Sequence, residues 1–316
     1  MPLPASLSDH LSKLNHRHVV SSTSTNSELI NAIQLGTLNA NEPHLLTADT
    51  QTAGRGQHER SWQSPHGNVY LSLYHPIQTP VSGLLSLVIG VELAKMPVIQ
   101  TLNQSLRTQG LKPIGVKWAN DLGFYQHQSQ QAADEPVIPF NKIAGILIEP
   151  VWQAGKLVGI VMGVGLNVQT TPKLTTQTCE GMSYQALSLQ DIYKLTIQKQ
   201  EQEQEQEQDG TGLPSLQELY QQISNALVAA VICFKQLALE KSTMQTYHTE
   251  DFSRQFKSMD ALAGLRLRVT QSHNGEVHIL NGHACGIDTN GCLQLRQDNG
   301  NISTLFTGRI DVINNV

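Results

Sequence analysis

The stretch from Ile143 to Val168 constrains the fold of this 316-residue chain more than any other feature. It is apolar and rich in β-branched residues. However, Glu149, Gln153 and Lys156 interrupt it, so it is not one membrane-spanning segment. The Ala-Gly pair at 154–155 is typical of a tight turn between two strands. The sequence therefore predicts two buried strands joined as a hairpin.

Further strands and helices are predicted around this hairpin. Alternating apolar residues predict strands at 17–21, 44–50, 69–74 and 114–118. Apolar periodicity with capping residues predicts helices at 24–35, 82–95, 97–110 and 213–240. Two polar segments lack any periodicity. We expect 126–140 to be an exposed hairpin loop, and we expect the Gln/Glu-rich insert at 198–212 to be a mobile surface excursion.

The last part of the chain has a different pattern. Asn-Gly pairs recur at 274–275, 281–282, 290–291 and 299–300, and they separate short alternating runs. Such pairs are strong signals for hairpin turns, and their regular spacing predicts a small β-barrel. We therefore expect a first domain at residues 1–259, which contains the 198–212 insert, and a second domain at 260–316.

Composition and charge exclude several classes of protein. Acidic residues number 26 against 21 lysines and arginines, and five of the acids lie in residues 201–209; without that run the balance is 21 against 21. A near-neutral folded part lacks the basic surface that binds nucleic acid. The four cysteines form no CxxC pair, and the longest apolar run, Leu84 to Ala94, is too short to cross a bilayer. No secretory signal is visible, so we expect a cytoplasmic protein without a membrane segment.

Four segments carry the polar chemistry of the chain. The loop at 51–62 places Arg55 between two glycines and continues to Arg60 and Trp62. The others are 116–122 (VKWANDL), 142–149 (KIAGILIE) and 163–168 (GVGLNV). An arginine in a flexible loop suits phosphate or carboxylate, and a lysine at the head of a buried strand requires an anion. Taken singly, each segment also has an ordinary structural explanation, and no P-loop motif occurs.

Taken in order, these segments closely resemble the biotin protein ligase family. The resemblance rests on Ser24-Thr25-Asn26, QTAGRG at 51–56, KWANDL at 117–122, KIAGILIE and GVGLNV, and it covers about residues 18–316. It implies an α+β fold with a class II aminoacyl-tRNA synthetase-like mixed sheet and helices, followed by a C-terminal small β-barrel. The implied reaction activates biotin with ATP and Mg²⁺ as biotinyl-5′-adenylate. The biotinyl group then passes to a lysine of the biotin carboxyl carrier protein of acetyl-CoA carboxylase.

The resemblance also implies roles for individual residues. Those implied to bind biotin are Ser24, Thr25, Asn26, Gln51, Arg55, Gly56, Gln57, Lys142 and Gly145. Those implied to bind ATP are Arg55, Trp62, Lys117, Asn120, Lys142 and Asn167. The implied catalytic residues are Arg55, Lys142 and Asp121, of which Asp121 either contacts Mg²⁺ or orients the incoming lysine.

The chain departs from the family pattern at three positions in or beside these motifs, one of which is Glu59, where many relatives have a glycine. Gln57 stands where many relatives have a second arginine, so phosphate neutralisation rests more on Arg55, Lys117 and Lys142. Ala119 stands where proline is usual. Because only about 16 residues precede the catalytic domain, we expect no N-terminal winged helix-turn-helix and no sequence-specific DNA binding. A homodimer is one option for the assembly.

Two alternative functions remain open at this point. The first is a lipoate ligase or octanoyltransferase, which shares the catalytic fold; the transferase uses a cysteine nucleophile, and no cysteine lies in the candidate segments. The second is a biotin-binding module without catalysis, which would lack an anion-binding residue such as Arg55 or Lys142.

Overall fold

The computed structural model describes residues 14–126, 137–172, 184–197, 212–243, 246–273 and 276–314. Its fourteen strands within these ranges are β1 (Asn15–Ser22), β2 (His44–Gln51), β3 (Val69–Pro76), β4 (Gly115–Lys117), β5 (Asp121–Tyr125), β6 (Val137–Ile138), β7 (Phe140–Gln153), β8 (Lys156–Leu166), β9 (Tyr184–Ala186), β10 (Arg266–His273), β11 (Glu276–Ile287), β12 (Leu293–Arg296), β13 (Ile302–Leu305) and β14 (Arg309–Ile313). The α-helices in the same ranges are α1 (Thr25–Gln34), α2 (Leu84–Ala94), α3 (Pro97–Thr108), α4 (Leu189–Ile197), α5 (Leu216–Thr243) and α6 (Tyr247–Met259).

The first sheet is built on the predicted hairpin. Its strands run in the order β1-β2-β3-β8-β7-β5-β4, and β9 pairs with β7. The β1–β2 and β7–β9 pairs are parallel, and the others are antiparallel, so the sheet is mixed. Strands β7 and β8 turn at residues 154–155, where both residues have positive φ. The prediction of two buried strands joined at this turn is confirmed.

Helices cover both faces of this sheet. On one face, α1 packs with Leu29 and Ile33 against a small apolar cluster that includes Leu46 and Val161. On the other face, α2 and α5 contribute to the main core, and α5 contacts α2, α6 and β3. Helix α5 is long and apolar enough to cross a membrane by length and composition, and half of its most apolar part is buried inside the protein.

Capping residues and a proline in the sequence predicted most helix ends correctly. Ser24 caps α1, and Ser215 and Glu218 form the expected capping box, since the amide of Ser215 donates to Glu218 and the amide of Glu218 donates to the Ser215 hydroxyl. Pro97 separates α2 from α3, and these two helices meet at an angle of 70°.

The second sheet is antiparallel and runs in the order β13-β12-β11-β10-β14-β6. It contains the predicted C-terminal strands, and together with the mixed sheet and helices it confirms the α+β class. The prediction that Asn281-Gly282 forms a turn is wrong, because this pair lies inside β11. A side chain at Gly282 would collide with the carbonyl oxygen of Arg296 on the neighbouring strand, so this glycine permits close strand approach.

The exposed-loop prediction for 126–140 is also wrong at its end. Val137 and Ile138 form β6, which pairs with β14 of the second sheet, and Phe140 begins β7. Ile138 and Phe140 are buried, and burial of these apolar side chains outweighs the polar character of the segment as a whole. Residues 127–136, residues 198–211 of the insert and the Asn274-Gly275 pair lie outside the described residues.

The two sheets join along a seam beside the β4–β5 turn. The indole nitrogen of Trp118 donates to the carbonyl oxygen of Gly291 at 2.8 Å, and Trp118 is buried. A bridge between Val116 and Asp260 adds a backbone contact where α6 has just ended. The second sheet is therefore fixed directly against the strand that carries Lys117. The division of the chain at 259/260 stays a prediction.

Candidate active site

A cavity of about 1210 Å³ opens between loop 52–62, the β4–β5 turn, strands β7 and β8 and the edge of the second sheet. Every residue that the sequence predicted for the site lines it: Ser24, Thr25, Asn26, Gln51, Arg55, Gly56, Gln57, Trp62, Lys117, Asn120, Asp121, Lys142, Gly145 and Asn167. Strand register brings these residues together from positions more than 140 residues apart. Their individual roles stay predictions.

One end of the cavity is a network of buried hydroxyl and amide groups. The Thr25 amide and hydroxyl both donate to Gln51 Oε1, at 2.9 and 3.2 Å. The Ser72 hydroxyl lies 2.7 Å from Thr25 Oγ1 and 2.5 Å from Asn26 Oδ1. Ser24 is buried beside them as the cap of α1. Buried polar groups of this kind are costly unless they are paired, so the network marks a site that recognises a polar ligand.

Glu149 connects this network to the glycine-flanked arginine. Its Oε2 accepts from Asn26 Nδ2 at 2.9 Å and forms an ion pair with the Arg55 guanidinium at 2.7 Å. Arg55 remains 41% exposed, and a guanidinium has five N–H donors. Glu149 therefore holds Arg55 at the cavity and leaves most of its donors for an anionic ligand.

Loop 52–62 folds back on itself and lays Trp62 on the floor of the cavity. The Trp62 amide donates to the Gly54 carbonyl, and Arg55 pairs with Ser61. The indole ring covers Gly145 and Gly165, which face each other on β7 and β8. A Cβ at Gly145 would lie 2.8 Å from this ring, and one at Gly165 would also collide with it. Both positions therefore require glycine, because a side chain at either one would prevent the Trp62 ring from packing on the sheet. The buried Trp62 Nε1 has no hydrogen-bond partner among the described residues.

Lys142 is tolerated in a core strand because a carboxylate meets it. Its Nζ lies 2.7 Å from Asp121 Oδ1, since β5 lies beside β7 in the sheet. The ammonium also lies 5.2 Å from the Trp62 ring centroid and 5.4 Å from that of Tyr184. The sequence required an anion for this lysine, and the structure supplies Asp121.

Lys117 is the most deeply buried cation of the cavity. Its side chain lies over Phe140, with 4.8 Å between Nζ and the ring centroid, and no carboxylate oxygen of the described residues lies within 4.0 Å of it. Burial lowers the pKa of Lys117 to about 8, although the charges of Asp121 and Asp311 oppose this shift. A desolvated ammonium without a close counter-ion is well suited to bind a phosphate.

The lining of the cavity is net positive. It contains Arg55, Arg60, Lys117, Lys142 and Arg309 against two carboxylates, Asp121 and Glu149. Both carboxylates are paired with a cation, and the described residues contain no group of three metal-ligating side chains. This arrangement does not fit a magnesium ion coordinated by Asp121, because that carboxylate already pairs with Lys142.

The two asparagines of the predicted nucleotide site are partly engaged with the backbone. Asn120 Nδ2 donates to the Ile146 carbonyl at 3.0 Å, and Asn167 Nδ2 donates to the Leu187 carbonyl at 3.2 Å. Each side-chain amide therefore ties its own loop to the backbone of a neighbouring segment. Both residues line the cavity.

Sequence reasoning missed three contributors. Ser72 is a hydroxyl in an otherwise apolar strand, and Glu149 is an acid at the end of the KIAGILIE motif; both were visible as polar interruptions. The third is the wall formed by the second sheet, including Arg309. No local signal reveals this wall, because it depends on how the two sheets pack.

Comparison with known proteins identifies relatives of this chain. Residues 17–167 match the Biotin/lipoate A/B protein ligase family. The bifunctional ligase/repressor BirA of Salmonella typhimurium is 28% identical over 292 residues, which is 92% of this chain and 71% of that protein. BirA of Escherichia coli is 35% identical over 148 residues, and this match spans only 38% of that protein.

Solved structures share the fold. The biotin protein ligase from Aquifex aeolicus in complex with biotin and ATP has a TM-score of 0.54 and 18% identity, with 94% of this chain and 97% of that chain covered. Another crystal structure of the Aquifex aeolicus ligase gives a TM-score of 0.56. The fold class predicted from the sequence is confirmed, and the match of residues 17–167 agrees with the family that the motifs resemble.

Proposed function

We propose that this chain, whose residues 17–167 match the Biotin/lipoate A/B protein ligase family, is a biotin protein ligase that acts in the cytoplasm. It activates biotin with ATP as biotinyl-5′-adenylate and releases pyrophosphate. It then transfers the biotinyl group to a lysine of the biotin carboxyl carrier protein of acetyl-CoA carboxylase. Mg²⁺ enters the reaction as part of the ATP complex, bound to the phosphates.

One observation carries this proposal: a single cavity is lined both by a network of polar side chains and by a group of cations. The ureido ring of biotin has two N–H donors and one carbonyl acceptor, which match Thr25, Asn26, Ser72 and Gln51. Arg55 and Lys142 lie further along the same cavity and suit the biotin carboxylate. The dithiolane ring of lipoate offers no such donors, so the polar end favours biotin.

The first step needs positioning more than it needs a base. The biotin carboxylate is ionised at neutral pH and attacks the α-phosphorus, while the bond to the bridging oxygen of pyrophosphate breaks. Both reactants are anions, so Arg55, Lys117 and Lys142 must screen their repulsion. The Trp62 ring shields the floor of the cavity from water, which would hydrolyse the mixed anhydride.

In the second step, the amine of the carrier lysine attacks the acyl carbon and AMP leaves. Asp121 lies 2.7 Å from Lys142, and both residues line the cavity. We propose that Asp121 orients the incoming lysine, whose ammonium loses its proton to water before the neutral amine attacks, and that Lys142 holds the departing phosphate oxygen of AMP.

The test is transfer of radiolabelled biotin to an isolated carrier domain, with and without ATP. We expect ATP-dependent labelling, and we expect lipoate to compete poorly with biotin. Labelling without ATP, or preferential attachment of lipoate, would contradict the proposal. Biotin binding without biotin-dependent release of pyrophosphate would instead identify a non-catalytic module.

A further inference from the structure

The second sheet forms one wall of the cavity. Residues 270–272 of β10 and the connection from Phe306 to Ile310 line it, opposite the strands that carry Lys117 and Lys142. Phe306 is 77% exposed at this wall. The cavity is therefore lined by residues of both sheets.

Arg309 is the cation of this wall, and Asp311 fixes it. Arg309 NH2 lies 3.2 Å from Asp311 Oδ2, and the two residues share one face of β14 because side chains two positions apart point the same way. The Asp311 side chain is only 6% exposed, whereas that of Arg309 is 42% exposed. A buried carboxylate thus anchors a guanidinium whose outer donors face the cavity.

Asp311 also links Arg309 to Lys117. Its charge acts on the ammonium of Lys117, and its Oδ1 is buried without a hydrogen-bond partner among the described residues. One buried carboxylate therefore lies within electrostatic range of two cations, one from each sheet. Its negative charge therefore offsets part of the repulsion among the cations that line the cavity.

We propose that Arg309 and Lys117 form the subsite for the β- and γ-phosphates of ATP, with Asp311 as the positioning residue for Arg309. This inference rests on the proposed function and adds a residue from the second sheet to it. When the bond between the α-phosphorus and the bridging oxygen breaks, its electron pair stays on the departing pyrophosphate. The guanidinium and the ammonium stabilise this charge. They also replace part of the positive charge that is missing at Gln57.

The first test measures steady-state kinetics of biotin-dependent pyrophosphate release. In the Arg309→Ala variant we expect the KM for ATP to rise on the order of tenfold, as for loss of one charged hydrogen bond, with the KM for biotin unchanged. Arg309→Lys should restore most of the affinity, and Asp311→Asn should raise the KM for ATP less than Arg309→Ala does. Arg266→Ala is the matched control, because Arg266 forms an ion pair with Asp298 in the same sheet and does not line the cavity.

The second test measures pyrophosphate binding by calorimetry, without catalysis. We expect weaker binding by Arg309→Ala than by wild type and the Arg266→Ala control; Arg309→Gln replaces the alanine variant if the latter melts early. Equal affinity in all of them would overturn the subsite. If wild type binds pyrophosphate through Arg309 but makes no biotinyl-adenylate, the subsite stands and the proposed function fails.

Discussion

At the residue scale, three cations of the cavity each have a carboxylate partner that sets their position. Lys142 meets Asp121, Arg55 meets Glu149 and Arg309 meets Asp311. In each pair the partner carboxylate is the more buried of the two side chains. This arrangement orders the cations before an anionic substrate arrives, and preorganised charge is the form of stabilisation that lowers a barrier.

We expect Lys142→Ala to reduce biotin-dependent pyrophosphate exchange by on the order of 10²–10³. The lysine neutralises the carboxylate as it attacks, so its loss acts on the chemical step. Exchange is measured with labelled pyrophosphate, and thermal melting checks that the fold survives. Lys156→Ala is the matched control, since Lys156 is exposed at the β7–β8 turn. Near-normal exchange by Lys142→Ala would refute the assigned role.

The pKa of Lys117, lowered to about 8 by burial, predicts a pH dependence. The ammonium that binds phosphate is lost as the pH rises through about 8, so kcat/KM for ATP should fall between pH 7 and 9. In Lys117→Arg the charge persists, and this fall should disappear. Identical profiles for both proteins would show that another group titrates.

The same pKa shift affects the free energy of unfolding in the opposite direction with pH. The folded pKa of Lys117 lies below its ordinary value of 10.5, so the unfolded state binds more protons between about pH 8 and 10.5. The contribution of Lys117 to the free energy of unfolding therefore increases as the pH rises through this window.

At the element scale, the long hairpin of β7 and β8 supplies most of the floor. Its facing glycines seat Trp62, and its neighbours β5 and β3 supply Asp121 and Ser72. The insert at 198–212 lies between α4 and α5, and Gly212 at its end packs against the Tyr193 ring of α4.

We expect deletion of 200–209 to leave biotin transfer and the melting temperature close to wild type. Gly212, which follows the deleted segment, packs against α4 at Tyr193, and the cost of closing a loop changes slowly with its length. Transfer to a carrier domain and thermal melting are the measurements. A large loss of transfer with an unchanged melting temperature would show that the insert contacts a substrate.

At the scale of the whole molecule, the seam between the two sheets completes the cavity. Trp118 and the Val116–Asp260 bridge hold the second sheet in place, and Arg309 reaches the cavity only as a result. Asp260 lies at this seam, and burial raises its pKa to about 6 although the Leu262 amide donates to it. Ionisation of Asp260 at neutral pH therefore opposes the packing of the two sheets.

We expect Asp260→Asn to stabilise the protein at pH 7 by on the order of 2–3 kcal/mol, because asparagine accepts the same hydrogen bond without a buried charge. The folded pKa lies above the ordinary value of 3.8, so wild type loses stability as the pH rises from about 4 to 6. Melting temperatures of both proteins across this range are the measurement. A constant difference between them would contradict the explanation.

The sequence by itself determined much of the local structure and many, though not all, of the residues that line the cavity. The apolar run with its turn at 154–155, the caps at Ser24 and Ser215, and the kink at Pro97 depend on residues close together in the chain, so periodicity and turn chemistry reveal them. The ordered motifs likewise predicted the residues that line the cavity. The same local reasoning failed at Asn281-Gly282, where close strand approach rather than a turn requires the glycine.

Only the tertiary structure decided how those residues pair. Arg55 and Glu149 are 94 residues apart in the chain, and Trp62 contacts Gly145 and Gly165, which are similarly far from it in sequence. Strand order brings Asp121 next to Lys142, and the packing of the two sheets brings Arg309 to the wall of the cavity. Such contacts depend on register and on burial of the whole core, which no short stretch of sequence encodes.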